Sequence, residues 1–323
     1  MRTPLLLLAA LAFTACSGSS GGAGDGGAPD GGLPPGATTY TLTVGPLPVK
    51  AGTQAVYCTD THLSNDQPID VIGYTSTQTE GGHHVILMAY KTDTHDGGTY
   101  PCDQSASVDP KNGSMIYITQ VAQDSQIFPP HVGMRLPAHA PVMMQTHFID
   151  ATPNDLQVTS TVNVLAGASG TVTTPAAPLL FYNATLQVPE GQSSAAASCI
   201  MANSPETDLK FFMLAGHMHS HGTDFTISFT NLDGGTSQIY QSSSWDSPVE
   251  EPFAPPLDVP NGSAFSWTCG YFNADGGVIQ SPDEMCAILG NFYPAPQGSL
   301  TCFADGTAGC ACFNGGGVPD AGL

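Results

Sequence analysis

Six residues in this chain have side chains suited to binding a redox-active metal. In chain order they are His83, His84, His147, His217, His219 and Met285. Imidazole nitrogen binds both Cu(I) and Cu(II), whereas a thioether favours the softer Cu(I). The set therefore predicts two copper sites, one with three histidines and one with two histidines and a methionine. A metal that passes between two oxidation states indicates electron transfer or oxygen chemistry.

The spacing of His217 and His219 suits one ion. Residues i and i+2 of a strand lie on the same face, about 6.7 Å apart along the chain. His221 shares that face but precedes Gly222, so we expect it beside the site or exposed rather than bound to metal. The pair needs a third ligand from elsewhere, and Met285 is the best candidate, although a single strand methionine is commonly core filler.

His83 and His84 are adjacent, and a regular strand would direct them to opposite faces. Both can bind one ion only if the backbone bulges, which the preceding Gly81 and Gly82 permit. His147, on an apolar strand, would complete a set of three nitrogens, although by itself it would be interpreted as a buried core histidine. Four further histidines lie in loop-like sequence and are interpreted as surface residues: His62, His95, His131 and His139.

The elements that position these residues are predicted to be strands. Short runs rich in Val, Ile, Thr, Tyr and Phe recur between clusters of Gly, Pro, Asn and Asp, and no long run has helical periodicity. This pattern favours an all-β fold of two antiparallel β-sandwich, jelly-roll-like domains. We place the domains at residues 39–168 and 175–312, separated by a stretch rich in Gly, Ala, Thr and Pro.

The N-terminus predicts export. Residues 1–16 form a short apolar signal, too short to span a membrane, that ends in a small residue before Cys16. This end resembles a bacterial lipobox with Cys16 lipidated, although Phe13 stands where leucine is usual; an ordinary cleaved signal peptide is the alternative. Residues 17–38 have the composition of a flexible tether. We expect lipid anchorage to the bacterial cell envelope, at the outer membrane, facing the periplasm or the exterior.

The net charge limits the possible binding partners, and the cysteine content indicates the cellular compartment. The chain has 6 Lys+Arg against 27 Asp+Glu, a net charge of −21, which excludes a basic surface for nucleic acid. Nine cysteines in an exported chain indicate disulfides, and removing Cys16 leaves an even number. Their spacing alone leaves the connectivity open. The absence of a CxxC pair argues against a zinc ribbon or a thioredoxin motif.

Five motifs, in this order, resemble those of the copper type II, ascorbate-dependent monooxygenases, the family of the peptidylglycine and dopamine β enzymes. They span much of the chain between about residues 40 and 303. The motifs are His83-His84-Val85, Gln145-Thr146-His147-Phe148, His217-Met218-His219, Glu284-Met285-Cys286 and Asn291-Phe292-Tyr293-Pro294. Any one of them is a weak signal, whereas their shared order is specific.

The resemblance implies a role for each group. The three-histidine set would hold an electron-donating copper, with Gln145 orienting a ligand or water nearby. His217, His219 and Met285 would form the catalytic, oxygen-binding copper site. The family fold places one copper in each sandwich, facing the other across a cleft. The implied disulfides are Cys58–Cys102, Cys199–Cys302 and Cys269–Cys286, leaving Cys310 and Cys312 to pair with each other.

The implied reaction is hydroxylation of a C–H bond of a small organic substrate. It would use two copper ions, O2 and ascorbate or another one-electron donor. The peptide enzyme has arginine, asparagine and tyrosine where this chain has Ala215, Ala287 and Leu289, so a peptidylglycine substrate is not expected. The alternative is a non-enzymatic copper-binding lipoprotein for scavenging or buffering. A zinc hydrolase is a third option, which the methionine argues against. The substrate, the reductant and the oligomeric state stay open.

Overall fold

The computed structural model describes residues 36–92, 97–103, 113–201, 209–281, 283–304 and 310–314. The predicted signal peptide, Cys16, nearly all of the tether and His95 lie outside these residues. The described parts of the chain form strands and connecting turns without an α-helix, which confirms the all-β prediction. Among the same residues, no helix offers the length and apolarity that a bilayer crossing requires.

In the described part of the chain, the first sandwich comprises eleven strands. They are β1 (Thr38–Val49), β2 (Gln54–His62), β3 (Ile69–Gln78), β4 (Gly82–Tyr90), β5 (Gly98–Pro101), β6 (Gly113–Thr119), β7 (Gln123–Ile127), β8 (Val132–Leu136), β9 (Pro141–Ile149), β10 (Leu156–Gly167) and β11 (Thr174–Pro175). One sheet has the order β1-β10-β3-β8-β11, with β7 also on β3; the other has the order β5-β2-β9-β4-β6.

Alternating side chains build the first core. Val162 and Val164 of β10 point inward while Asn163 points outward, as the period of two in a strand requires. Val85 and Leu87 of β4 meet them from the opposite sheet. The strand β4 is nearly all buried because its other face lies under a second apolar cluster, next to the Cys58–Cys102 disulfide.

The second sandwich comprises twelve strands among the residues that the structure describes. They are β12 (Ala177–Asn183), β13 (Gln187–Val188), β14 (Gly191–Ile200), β15 (Leu209–His217), β16 (Gly222–Thr230), β17 (Thr236–Ser242), β18 (Glu251–Val259), β19 (Ala264–Asn273), β20 (Ile279–Gln280), β21 (Ala287–Tyr293), β22 (Leu300–Ala304) and β23 (Cys310–Asn314). Its sheets have the orders β18-β15-β21-β12-β22-β23 and β14-β19-β16-β17, and β13 pairs with β20. Its core is aromatic, with Phe211 stacked on Phe265 at 5.2 Å between ring centroids.

An apolar seam joins the sandwiches. Strand β15 is buried on both faces: Phe211 and Leu214 belong to the second core, whereas Phe212 and Ala215 belong to the apolar cluster of the first. The ring of Phe212 contacts that of Phe128 edge-on, with 5.3 Å between centroids. The described residues accordingly all belong to one compact unit. The seam places the end of β15, where His217 lies, against the first sandwich.

Four disulfides cross-link the described residues, as is typical of proteins exported to an oxidising compartment. They are Cys58–Cys102, Cys199–Cys310, Cys269–Cys286 and Cys302–Cys312. Two pairs agree with the pairing that the family resemblance implies.

The implied Cys199–Cys302 pair is wrong, as is a bond between Cys310 and Cys312. The reason is β23, which pairs antiparallel with β22 and places Cys312 directly opposite Cys302. Cys310 then bonds to Cys199 at the end of β14. All four sulfur atoms lie within 4.8 Å of one another, so the register of an edge strand decides which of them pair.

Candidate metal sites

The first candidate site joins neighbouring strands. His84 of β4 stands directly opposite His147 of β9, and the register of this pair shifts between Gly82 and His84. That bulge accommodates His83 as an extra residue and directs it toward the other two rings. Gly81, just before it, has a φ of 84°, a conformation that glycine adopts without strain. The predicted bulge at the two glycines is thereby confirmed.

The three imidazole rings converge. Their centroids are 5.1 Å apart for His83 and His84, 5.0 Å for His83 and His147, and 4.9 Å for His84 and His147. One ring nitrogen from each lies within 4.8 Å of the others, close enough for three ligands of one ion. The side chains are only 6%, 5% and 3% exposed, respectively, so the cluster is shielded from solvent.

Hydrogen bonds indicate which nitrogens are free to bind a metal. Nε2 of His147 donates to Gln54 Oε1 at 3.0 Å, which leaves Nδ1 unprotonated, and that buried atom has no partner. Both ring nitrogens of His84 are likewise buried without a partner. Buried polar atoms are normally hydrogen-bonded, so unpaired imidazole nitrogens facing one another fit a metal ion. Three nitrogen donors of this kind suit copper.

The histidines are held in their neutral, metal-binding form. Burial, reinforced by the neighbouring imidazoles, lowers the pKa of His147 to about 3 and that of His84 well below its usual value of 6.5. Burial also lowers the pKa of His83 and His217. Imidazoles of the other cluster add to the lowering of the pKa at His84 and at His217. At neutral pH, protons do not compete for these nitrogens.

The second candidate site begins where β15 ends. The rings of His217 and His219 are perpendicular, with 5.2 Å between centroids, while Met218 between them is buried in the second core. Nδ1 of His219 donates to the backbone carbonyl of Asp283 at 3.0 Å. Nδ1 of His217 lies 2.5 Å from Oε1 of Gln120. Both contacts leave Nε2 as the nitrogen free to bind a metal.

A single buried carboxylate fixes Met285 beside these histidines. Glu284 has no exposed surface; its Oε1 accepts the backbone N–H groups of His219, at 2.5 Å, and of Met285, at 2.9 Å. The hydroxyl of Tyr271 donates to the carbonyl of Met285, and the next residue, Cys286, is disulfide-bonded to β19. Met285 itself is half-buried. The carboxylate therefore brings the segment that carries the thioether alongside the His217–His219 turn.

The remaining predicted residues lie around these clusters or apart from them. His221 contacts Oε2 of Glu284 through Nδ1 and Asp275 through Nε2, which agrees with its expected place beside the site. Gln145 is fully buried, and its Nε2 donates to the carbonyl of Asp103 at 3.1 Å. Its predicted role near the first copper stays a prediction. Three histidines are exposed as predicted: His62, His131 and His139.

Two contacts at the clusters were missed by sequence reasoning. Gln120, just after β6, contacts His217 across the seam. Trp245 lies edge-on to His83 at 5.3 Å between centroids, and the carbonyl of Asp246 accepts from His83 Nδ1 at 3.2 Å. No local pattern identifies them, because each contact joins the two sandwiches. The one available signal is that Trp245 is among only two tryptophans and lies in a polar turn.

Comparisons with known proteins add no function. No protein-family model matches the chain, and no curated protein matches it. A solved structure of the Sulfolobus turreted icosahedral virus is 10% identical over 79% of this chain and 56% of that chain, with a TM-score of 0.25. The structure of the VP2 subviral particle of infectious bursal disease virus is 10% identical over 80% of this chain and 73% of that chain, with a TM-score of 0.19. Likeness at these scores carries no inference about this chain.

Proposed function

We propose that this chain is a copper-dependent monooxygenase that hydroxylates a C–H bond of a small organic substrate. The co-substrates are O2 and a one-electron donor such as ascorbate. One observation carries the proposal: three buried imidazoles converge, and two of them, His84 and His147, have buried ring nitrogens without a hydrogen-bond partner. Copper bound at such clusters supplies one-electron transfer and dioxygen chemistry.

The surroundings of the two clusters suit them to different roles. In the three-histidine cluster, burial excludes water and rigid strand pairing keeps the ligand geometry fixed, which suits a site that exchanges electrons without binding substrate. In the second cluster, His217 and His219 present Nε2, and Glu284 positions the backbone of Met285. A thioether there favours the reduced metal, the form that reacts with oxygen.

The substrate class follows from what the site region lacks. Ala215 pairs with Leu289 and His217 with Ala287, so the three positions Ala215, Ala287 and Leu289 offer no charged or amide side chain for a peptide. A net charge of −21 disfavours polyanionic substrates. A small, neutral or apolar molecule is therefore the proposed substrate, rather than a peptidylglycine.

The second candidate function is copper scavenging without catalysis. The observation that favours it is the near-complete burial of the three-histidine cluster beneath Trp245, since a sequestered site retains its metal. The same ligands would serve both functions. Turnover, rather than copper binding, separates them.

The experiment is ascorbate-dependent O2 uptake across a panel of small C–H substrates, measured together with copper content. We expect coupled product formation in the wild type. Met285→Ala should lose most of the activity while the three-histidine cluster keeps its copper, because that cluster does not use the thioether. Wild-type protein that binds two coppers but turns over no substrate would favour scavenging.

We also propose that the chain is exported and anchored by a lipid on Cys16. The four disulfides support export, and the sequence around Cys16 supports the anchor. Fractionation tests it: wild type should sediment with the outer membrane, and Cys16→Ser should be soluble. A wild-type protein found only in the soluble periplasmic fraction would reject the anchor.

A further inference from the structure

We propose that each histidine cluster is completed by the opposite sandwich: Gln120 of the first positions His217 of the second, and Trp245 and Asp246 of the second position His83 of the first. This inference rests on the proposed copper binding and deepens it. These three are positioning residues, since they act on ligands rather than on the metal. The consequence is that neither site is independent of the docking between the sandwiches.

The contact of Gln120 determines which nitrogen of His217 carries the proton. Its Nε2 donates to the carbonyl of Gly216 at 3.1 Å, which fixes the orientation of the amide. Oε1 must then be the atom that faces His217 Nδ1, and an amide oxygen only accepts. Nδ1 is therefore protonated and Nε2 carries the lone pair. A hydrogen bond of this kind orients a ligating histidine and raises its basicity.

Gln120 is itself held from across the seam. Its side chain is 2% exposed, and its backbone N–H donates to the carboxyl group of Glu250 in the second sandwich. Glu250 also accepts from Gln126 Nε2 at 2.9 Å, which ties it to β7 of the first sandwich. The segment that ends at Glu250 is the one that begins at Trp245. The short segment 245–250 of the second sandwich therefore contacts both Gln120 and His83.

The reciprocal contact works in the same way. Nδ1 of His83 donates to the carbonyl of Asp246, which leaves Nε2 for the metal. The turn that presents this carbonyl is braced internally: Ser244 Oγ donates to Asp246 Oδ1 at 2.6 Å and accepts the backbone N–H of Ser247 at 3.1 Å. Trp245 contacts the His83 ring edge-on and limits its rotation.

The first test measures Cu(I) affinity by chelator competition, with the Cu(II) spectrum by electron paramagnetic resonance. In a His147→Ala background, which leaves the second site loaded, Gln120→Leu should weaken copper binding about 10–100-fold and change the spectrum. Gln120→Glu keeps an acceptor for Nδ1 and should restore most of the affinity. The matched control in the same background is Gln54→Leu, which replaces a glutamine at the emptied three-histidine site and should leave copper binding at the second site unchanged.

The outcomes separate this inference from the proposed function. A wild type that binds no copper rejects the function itself. A wild type that binds two coppers, with Gln120→Leu unchanged in affinity and spectrum, rejects the positioning role alone. A general loss of stability would weaken the three-histidine site as well, so Gln120→Leu is also measured in a His219→Ala background. Equal weakening of both sites would likewise overturn the role.

Tryptophan fluorescence tests the reciprocal contact. The chain has two tryptophans; Trp267 lies in the second core, whereas Trp245 lies against His83. In a His219→Ala background, Cu(II) at the three-histidine site should quench the emission strongly, and Trp245→Phe should remove most of that quenching. Equal fractional quenching with and without Trp245 would show that the segment is not docked on His83.

Discussion

The two histidine clusters are built in different ways. The three-histidine cluster lies on β4 and β9, where paired strands hold His84 opposite His147 and all three rings are buried. The second cluster lies where β15 ends, and its third candidate ligand, Met285, lies in the segment before β21. Sheet hydrogen bonds fix the first geometry. A buried carboxylate, Glu284, fixes much of the second.

The difference indicates where each site can fail. The strand pairing keeps His84 opposite His147 unless the sheet opens, whereas His83 depends also on Trp245 and Asp246 of the other sandwich. A site built on a turn and a loop depends on the few contacts that join them. This arrangement suits a site that must admit oxygen and substrate, because loops on a rigid scaffold commonly carry reactive groups.

The largest expected effect is that of Glu284→Ala. It leaves three backbone N–H groups without their acceptor, those of His219, His221 and Met285. We expect the free energy of unfolding to fall by about 3 kcal/mol, since three half-buried N–H groups lose hydrogen bonds that each contribute about 1 kcal/mol. Copper should be lost from the second site and kept at the three-histidine site. Denaturant unfolding and elemental analysis measure the two effects.

Asp275→Ala is the matched control, because this exposed carboxylate contacts His221 but neither His219 nor Met285. It should change copper content and stability little. Equal loss of copper from both sites in Glu284→Ala would contradict the view that Glu284 maintains the geometry of the second cluster only.

A smaller, pH-dependent effect is expected at the seam. Burial and the nearby Asp124 raise the pKa of Glu250 from 4.5 to about 8. The folded protein therefore keeps a proton that the unfolded chain releases between those values, so stability should fall as pH rises from about 4.5 to about 8. Glu250→Gln should flatten this fall. Thermal unfolding of the metal-free protein between pH 4.5 and 9 measures it, with a difference of several degrees expected.

Glu251→Gln removes the same formal charge from the adjacent, exposed position and serves as control. Its pH profile should follow that of the wild type. Asp124→Asn should resemble Glu250→Gln, because it removes the carboxyl group that faces Glu250. A wild-type stability that rises steadily up to pH 8 would contradict the buried carboxyl pair.

The smallest effect concerns β23. Truncation after Ala304 removes Cys310 and Cys312 but leaves Cys199 and Cys302, whose sulfur atoms already lie within 4.8 Å. We expect these two to pair, which would restore the connectivity that the family resemblance implies. Mass mapping of the non-reduced protein should find this bond, and the full chain should give Cys199–Cys310. Free thiols at both positions in the truncated protein would contradict the expectation.

Patterns within single strands were predictable, and contacts between sandwiches were not. Short runs rich in Val, Ile, Thr, Tyr and Phe predicted the strands, and Gly81 and Gly82 predicted the bulge that turns His83 inward. By contrast, Gln120 and Trp245 reach their histidines only through the seam, which has no signature along the chain. The Cys199 pairing failed for a similar reason, because it depends on the register of β23.

The central claim is that the chain holds copper at two separate sites, and copper stoichiometry tests it most directly. Elemental analysis of purified wild type should give two coppers per chain. His147→Ala and His219→Ala should each retain one, with different spectra, because they empty different clusters. One copper or none in the wild type, or preferential zinc in competition, would contradict the account.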